Sequence, residues 1–192
     1  MKSKSTYQLI ADSLIHLYYS FAAYLCTIYI AVDIQQQQLK VYYKQKLLHT
    51  MPISTGKNGT GEEEDTGKTP RGWHEIAEYH GEKCEANTYF VARIAQGKYN
   101  NESCDIEDVI LSRILWLSGK QYCNNNTKRR YIYAHGTNET NSLGNKAQSH
   151  GCIRMHANDI ITLFDLCHQA HHKGIKPLIY THDQNNRYRI QC

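Results

Sequence analysis

No Cys-x-x-Cys pair occurs among the seven cysteines, at 26, 84, 104, 123, 152, 167 and 192, which excludes a zinc ribbon and a thioredoxin-like redox motif. No dense basic stripe with interleaved aromatics is present either. The 22 Lys and Arg are scattered, and a net charge of +4 without such a stripe implies no nucleic-acid partner. A long unbroken apolar run is also missing. Residues 14–32 are mostly apolar, but His16 and several tyrosines interrupt them and their length is marginal for a bilayer span, so no integral membrane segment is expected. A phosphate loop is absent too. Gly67-Lys68-Thr69 has its ending, yet position 62 is Glu where the pattern needs Gly, and the acidic cluster Glu62 to Asp65 would repel a nucleotide.

What remains is an ordinary globular chain of 192 residues, 41% hydrophobic and 21% charged, long enough for one domain with a real core. Its 15 tyrosines could line a groove but more simply fill strands and sheet surface. An odd cysteine count is anomalous in an oxidising compartment and ordinary in a reducing one, which points to the cytoplasm. The basic start Met1-Lys2-Ser3-Lys4 raises the alternative of export to the periplasm or cell envelope. Against a cleaved signal stand Asp12, His16 and the run Thr27 to Asp33, which reads as a buried strand whose removal would strip the core.

Residues 1–26 are therefore predicted to form a helical segment packed on a domain of residues 27–192. Within that segment residues 6–20 have amphipathic spacing, with Ile10, Leu14 and Leu17 or Tyr18 facing inward and Asp12 outside. Strands follow at 27–34, 39–43 and 46–54, with Gln35 to Gln38 as a solvated turn. Further strand-like stretches lie at 73–78, 88–94, 108–117, 131–134 and 176–181, with a possible edge strand at 187–190. Residues 158–166 have helical periodicity, and Asn158 is a candidate N-cap. Two spacings suggest metal ligands. His74 and Glu78 are four apart but sit in a strand context, and Cys167 and His171 sit at a helix C-terminus, where histidines also suit the helix dipole. No metal site is predicted from either.

The chemistry concentrates in residues 131–156. Tyr131 to Ala134 read as a short strand that would hold His135 on a rigid element, and Gly136 and Gly151 permit tight turns on the way to Cys152. A thiol attacks a carbonyl as thiolate, so a nucleophilic cysteine needs an imidazole within reach and backbone N–H groups for the oxyanion. Taken singly, Cys152 would be a buried structural thiol and His135 a satisfied core histidine. Together they form a candidate pair.

At Ser149-His150-Gly151-Cys152-Ile153-Arg154, with His135-Gly136 some 17 positions earlier, the chain resembles the YkuD-type L,D-transpeptidase catalytic domain. Pro52-Ile53-Ser54-Thr55-Gly56, Thr69-Pro70-Arg71-Gly72 and the segment from Arg113 through Arg129-Arg130 to Thr137 extend the likeness, the last towards the Gram-negative ErfK/YbiS-like branch. The resemblance implies a mainly β (α+β) fold: a β-sandwich of mixed sheets with an N-terminal helix and a helix after the cysteine. It implies a cysteine enzyme without cofactor that cleaves the L,D bond of a peptidoglycan stem peptide, releases D-alanine and passes through a thioester. Cys152 and His135 would be catalytic. Gly151, His150, Ser149 and Gly136 would support the oxyanion site and its loop, and Arg154 and Thr137 would contact substrate. Hydrolysis of soluble muropeptides by L,D-carboxypeptidase action is the alternative, and a non-catalytic wall-peptide binding module is a second.

Overall fold

A computed structural model describes residues 5–25, 28–100 and 108–183. The possible edge strand at 187–190 and the basic start at 1–4 lie outside the described residues. A helix α1 (Thr6–Leu25) precedes the strands β1 (Ile28–Asp33), β2 (Gln38–Tyr43), β3 (Lys46–Ser54), β4 (Gly72–His80), β5 (Thr88–Val91), β6 (Ile94–Lys98), β7 (Ile110–Gly119), β8 (Tyr133–Thr137) and β9 (Ile153–Met155). A second helix, α2 (Ala157–His172), and β10 (Leu178–His182) complete the order. The fold is mainly β with two helices, as the sequence implies.

All ten strands of the described residues belong to one sheet, in the order β4-β10-β1-β2-β3-β9-β8-β7-β5-β6. A further pairing of β4 with β7 brings its two ends together, so the sheet folds over on itself and only the β5-β6 hairpin is left as an appendage. The pairs β1–β10 and β8–β9 are parallel and the rest antiparallel, which makes the sheet mixed. Between its halves lies a core of Ile30, Val32, Leu39, Val41, Ile53, Leu115, Ile153 and Met155, sealed on one side by Ile160, Leu163, Phe164 and Cys167 of α2. The period-two pattern of the strands and the 3.6 period of α2 both resolve onto this one interior. With Cys167 wholly buried, its pairing with His171 as a ligand set is removed. His74 is also wholly buried, whereas Glu78 faces out to ion-pair with Lys128 at 2.7 Å.

Four expectations are corrected. Asp12, expected outside, is the buried residue of α1 at 0% exposure, while Leu14 and Leu17 are 63% and 68% exposed. The reason is the partner: Asp12 Oδ1 accepts the Tyr122 N–H at 2.6 Å, and His16 Nδ1 accepts the Trp73 indole N–H at 3.2 Å, so a polar and aromatic stripe docks and the aliphatic stripe faces out. The glutamine turn is not wholly solvated, because Gln37 is buried and grips Thr55 through both amide atoms, at 2.8 Å each. The stretch 88–94 is two strands rather than one. Its turn, Ala92-Arg93, has both φ angles positive and lacks the Gly or Asn that normally announces such a hairpin. The N-cap of α2 is His156, with Asn158 already inside the helix. No helix among the described residues is long and apolar enough to cross a membrane.

Candidate active site

His135 lies in the middle of β8 and Cys152 just before β9, and the register of this parallel pair sets their relation. Ala134 faces Ile153 and His135 faces Arg154, so Tyr133 lies opposite Cys152. Side chains alternate along a strand, which puts Tyr133, His135, Cys152 and Arg154 on one face and Ala134, Ile153 and Met155 on the core face. The Tyr133 N–H points at Cys152 Sγ at 3.4 Å, and the thiol donates weakly to Tyr131 O at 3.5 Å.

His135 is 2% exposed and its Nδ1 lies 2.8 Å from Gly136 O. A carbonyl only accepts, so Nδ1 carries the hydrogen and the neutral ring leaves Nε2 bare as a proton acceptor. Burial lowers the His135 pKa from its ordinary value, partly offset by the Gly136 bond and by Asp108. Burial pushes the Cys152 thiol up to about 11, against the Tyr133 N–H and the charges of Arg154 and Arg130, which favour the thiolate. The resting pair is thus neutral thiol and neutral imidazole. Burial therefore works against a standing thiolate at this site.

The loop before the cysteine is fastened from three directions. Ser149 Oγ donates to Cys152 O at 2.6 Å and accepts the Gly151 N–H at 3.1 Å. The Ser149 N–H donates to Thr55 O at 2.8 Å, and Thr69 Oγ1 donates to Gly151 O at 2.9 Å and accepts the Gly56 N–H at 2.8 Å. The Ser-Thr-Gly step at 54–56 and the Thr-Pro turn at 69–70, far apart in sequence, therefore meet beneath residues 149–152. Gly151 has φ +116°, a conformation only glycine adopts freely, and a Cβ there would meet Lys68 O at 3.0 Å. At Gly136 a Cβ would lie 2.6 Å from Leu111 O, so glycine is what lets β7 approach β8.

The other expected residues are placed differently from one another. Arg154 is 3% exposed and ion-paired through Nη2 with Asp108, so its guanidinium faces the protein interior rather than open solvent. Thr137 is buried, and its hydroxyl accepts the Glu139 N–H at 3.0 Å, closing a turn. His150 is exposed, its Nδ1 3.5 Å from Asp108 Oδ2. The Gly151 N–H is already engaged by Ser149.

Four residues to which the sequence reading gave no site role stand near the pair. Asp108 joins Arg154 to His150 and acts electrostatically on both His135 and Cys152. Tyr133 stands opposite the thiol. Arg130 donates to Gly61 O and Lys68 O at 3.0 and 2.6 Å, and with Tyr131, Ile132, Gly67 and His150 it lines a cavity of about 260 Å³. Arg93, at the tip of the β5-β6 hairpin, donates to Tyr133 OH at 3.1 Å and lies over Trp116 and Tyr131 at 4.7 and 5.5 Å from their ring centroids. The doublet Arg129-Arg130 was visible as part of the resemblance. Nothing local marks Asp108 or Arg93, whose positions depend on pairing across the sheet.

This arrangement sets a thiol and an oriented imidazole on one face of the sheet, with Asp108 and Arg154 acting electrostatically on both. Among the described residues, the grouping of three side chains that could hold a metal ion lies elsewhere, at Glu82, His168 and His172.

Residues 27–188 match the family model of the YkuD L,D-transpeptidase catalytic domain. A protein of Bacillus licheniformis named "Putative L,D-transpeptidase YkuD" is 28% identical over 148 residues, which are 77% of this chain and 65% of that protein. The chain thus spans just under two thirds of that relative's length. Among solved structures, an L,D-transpeptidase fragment from Xylanimonas cellulosilytica superposes with a TM-score of 0.50 at 16% identity, covering 82% of this chain and 61% of its own. An L,D-transpeptidase from Mycobacterium smegmatis gives 0.48 at 17%, covering 82% and 59%.

Proposed function

Because the chain belongs to the L,D-transpeptidase catalytic-domain family of YkuD type, we propose that it is a cysteine acyltransferase acting on peptidoglycan stem peptides. Cys152 is the nucleophile and His135 its general base. The observation that carries this reading is the β8–β9 register, which sets the thiol and an imidazole with a bare Nε2 on one face of the sheet.

As the sulfur attacks the carbonyl of the L-residue, its proton passes to His135 Nε2 and the oxygen becomes an oxyanion. With the Gly151 N–H held by Ser149, the Cys152 N–H is the donor this reading assigns to that oxyanion. Losing such a donor typically costs about 2.7–4 kcal/mol of transition-state stabilisation. Collapse breaks the C–N bond, the imidazolium returns its proton to the departing amine of D-alanine, and a thioester remains on Cys152. Because burial disfavours the thiolate, this reading has the proton leave the sulfur as it attacks. The Tyr133 N–H, which points at Sγ, eases the charge that develops there.

This reading gives substrate carboxylates to a residue other than Arg154. Arg154 is committed to Asp108, and through it Arg154 sets the field around His135 and Cys152. Arg93, half-buried beside Tyr133, presents a guanidinium group that a stem-peptide carboxylate could meet. An amine of a second stem peptide resolves the thioester by transpeptidation, and water resolves it by L,D-carboxypeptidase action. For location, Cys123 is disulfide-bonded, which suits an oxidising compartment and favours the cell-envelope alternative over the cytoplasm.

The test is incubation with a disaccharide-tetrapeptide. Wild-type protein should release D-alanine, and Cys152→Ala should lose at least about a thousandfold in rate with unchanged circular dichroism. Release that survives the substitution would overturn the reading, and binding without release would turn it into the wall-peptide module. Product masses separate a cross-linked dimer from a tripeptide.

A further inference from the structure

The last turns of α2 carry His168, His171 and His172, and only two of them share a face with a carboxylate. His168 and His172, four residues apart, project side by side, with ring centroids 4.3 Å apart. Glu82, on the turn that follows β4, reaches the same place, its Oε1 3.7 Å from His168 Nδ1. One donor atom from each of the three lies within 4.8 Å of the others. We propose that Glu82, His168 and His172 form a binding site for a divalent transition metal of the zinc class, clipping the end of α2 to the turn after β4.

Two imidazoles and a carboxylate are a donor set that zinc accepts, with a water in the fourth position. Metal–ligand distances near 2.1 Å place the donors of a tetrahedral site roughly 3.4 Å apart, so small side-chain rotations close the set. His168 is already held for the purpose, its ring packed 5.2 Å from Phe164 and 5.1 Å from Tyr79. His172 and Glu82 are exposed and free to swing in. The carbonyl end of a helix also carries partial negative charge, which favours a cation there. That same dipole explains histidines at a helix end without any metal, but it does not explain a glutamate from another element converging on the same two rings. The clip has a structural consequence. The turn bearing Glu82 leads into the β5-β6 hairpin, so a bound metal would fix the root of the element whose tip holds Arg93 against Tyr133.

The experiment uses the full chain without an affinity tag, carrying Cys152→Ser so that the site thiol takes no metal, stripped with chelator and titrated with Zn²⁺ by calorimetry. One zinc per chain and a raised melting temperature are expected. His168→Gln and His172→Gln should each weaken binding more than about tenfold, and Glu82→Gln should weaken it less. His171→Gln, a change on the neighbouring face, should bind as the parent does, which separates loss of a ligand from loss of fold. Absence of binding at 100-fold excess Zn²⁺ overturns the proposal, and so does equal binding by the His168→Gln, His172→Gln double variant or equal loss in His171→Gln. The readout is metal binding itself, so a negative result leaves the acyltransferase reading untouched and the reverse holds too.

Discussion

The two helices carry similar apolar spacing and have opposite fates. α2 buries Ile160, Leu163, Phe164, Cys167 and Ala170 against β7 and β8 and so stiffens the strand that carries His135. α1 buries Asp12 and turns Ile10, Leu14, Leu17 and Phe21 outward, touching β4 through His16, Tyr19 and the Asp12 contact with the 120–131 loop. A periodic pattern therefore establishes that a helix forms and leaves open which face meets the protein. The face is chosen by what the neighbouring surface offers. Under α2 that surface is aliphatic core, whereas under α1 it is the Trp73 indole N–H, the Glu75 carboxylate and the Tyr122 amide.

The contrast can be broken at several points. Phe164→Ala should be the most damaging, at about 3–5 kcal/mol of unfolding free energy by urea titration, because it empties a wholly buried site behind β8. Mild acid should act next, and on the α1 side. His74 is buried beneath the 120–131 loop against Asn124 and Thr127, and burial depresses its pKa to about 4. The unfolded chain takes up that proton near pH 6.5 and the folded one only near 4, so stability is complete above 6.5 and declines as pH falls towards 4. The loss is about 3 kcal/mol, and hydrogen exchange should open residues 120–131 before α2. Burial of His135 lowers its pKa too and adds in the same direction.

Smaller effects sharpen the comparison from the other side. Asp12→Ala strips the Tyr122 amide of its acceptor and should cost about 1–3 kcal/mol, far more than an apolar-to-polar change on the same helix. Leu17→Ser should fall within about 0.5 kcal/mol of the parent in the same titration. A larger loss at Leu17 than at Asp12 would mean that the aliphatic face, not the polar one, holds α1.

The candidate site was more legible than the frame around it. Ser149 to Arg154 and His135-Gly136 stand out because the proposed chemistry needs a thiol, an imidazole and tight glycine turns at short range, and local sequence records such demands. The orienting partner of His135 is a backbone carbonyl, which no residue type can advertise. The letter of Arg154 says only that it is cationic, while its ion-pair partner Asp108 arrives from just before another strand. The Ala92-Arg93 turn was hidden for a local reason, since two non-glycine residues hold positive φ where pairing of β5 with β6 compensates.

By itself, the amino-acid order determined a mainly β domain with one helix before the strands and one after the cysteine, and a candidate pair of cysteine and histidine. Those features follow from short-range rules: alternation, helical period, glycine at turns, and the residue types that nucleophilic chemistry requires. Tertiary structure alone decided that the sheet closes through β4 and β7, that α1 docks by its polar stripe, and that Arg154 turns to Asp108. It also brought Glu82 to His168 and His172. Each of these is a contact between distant segments, and its free energy depends on burial and on partners that no window of sequence contains.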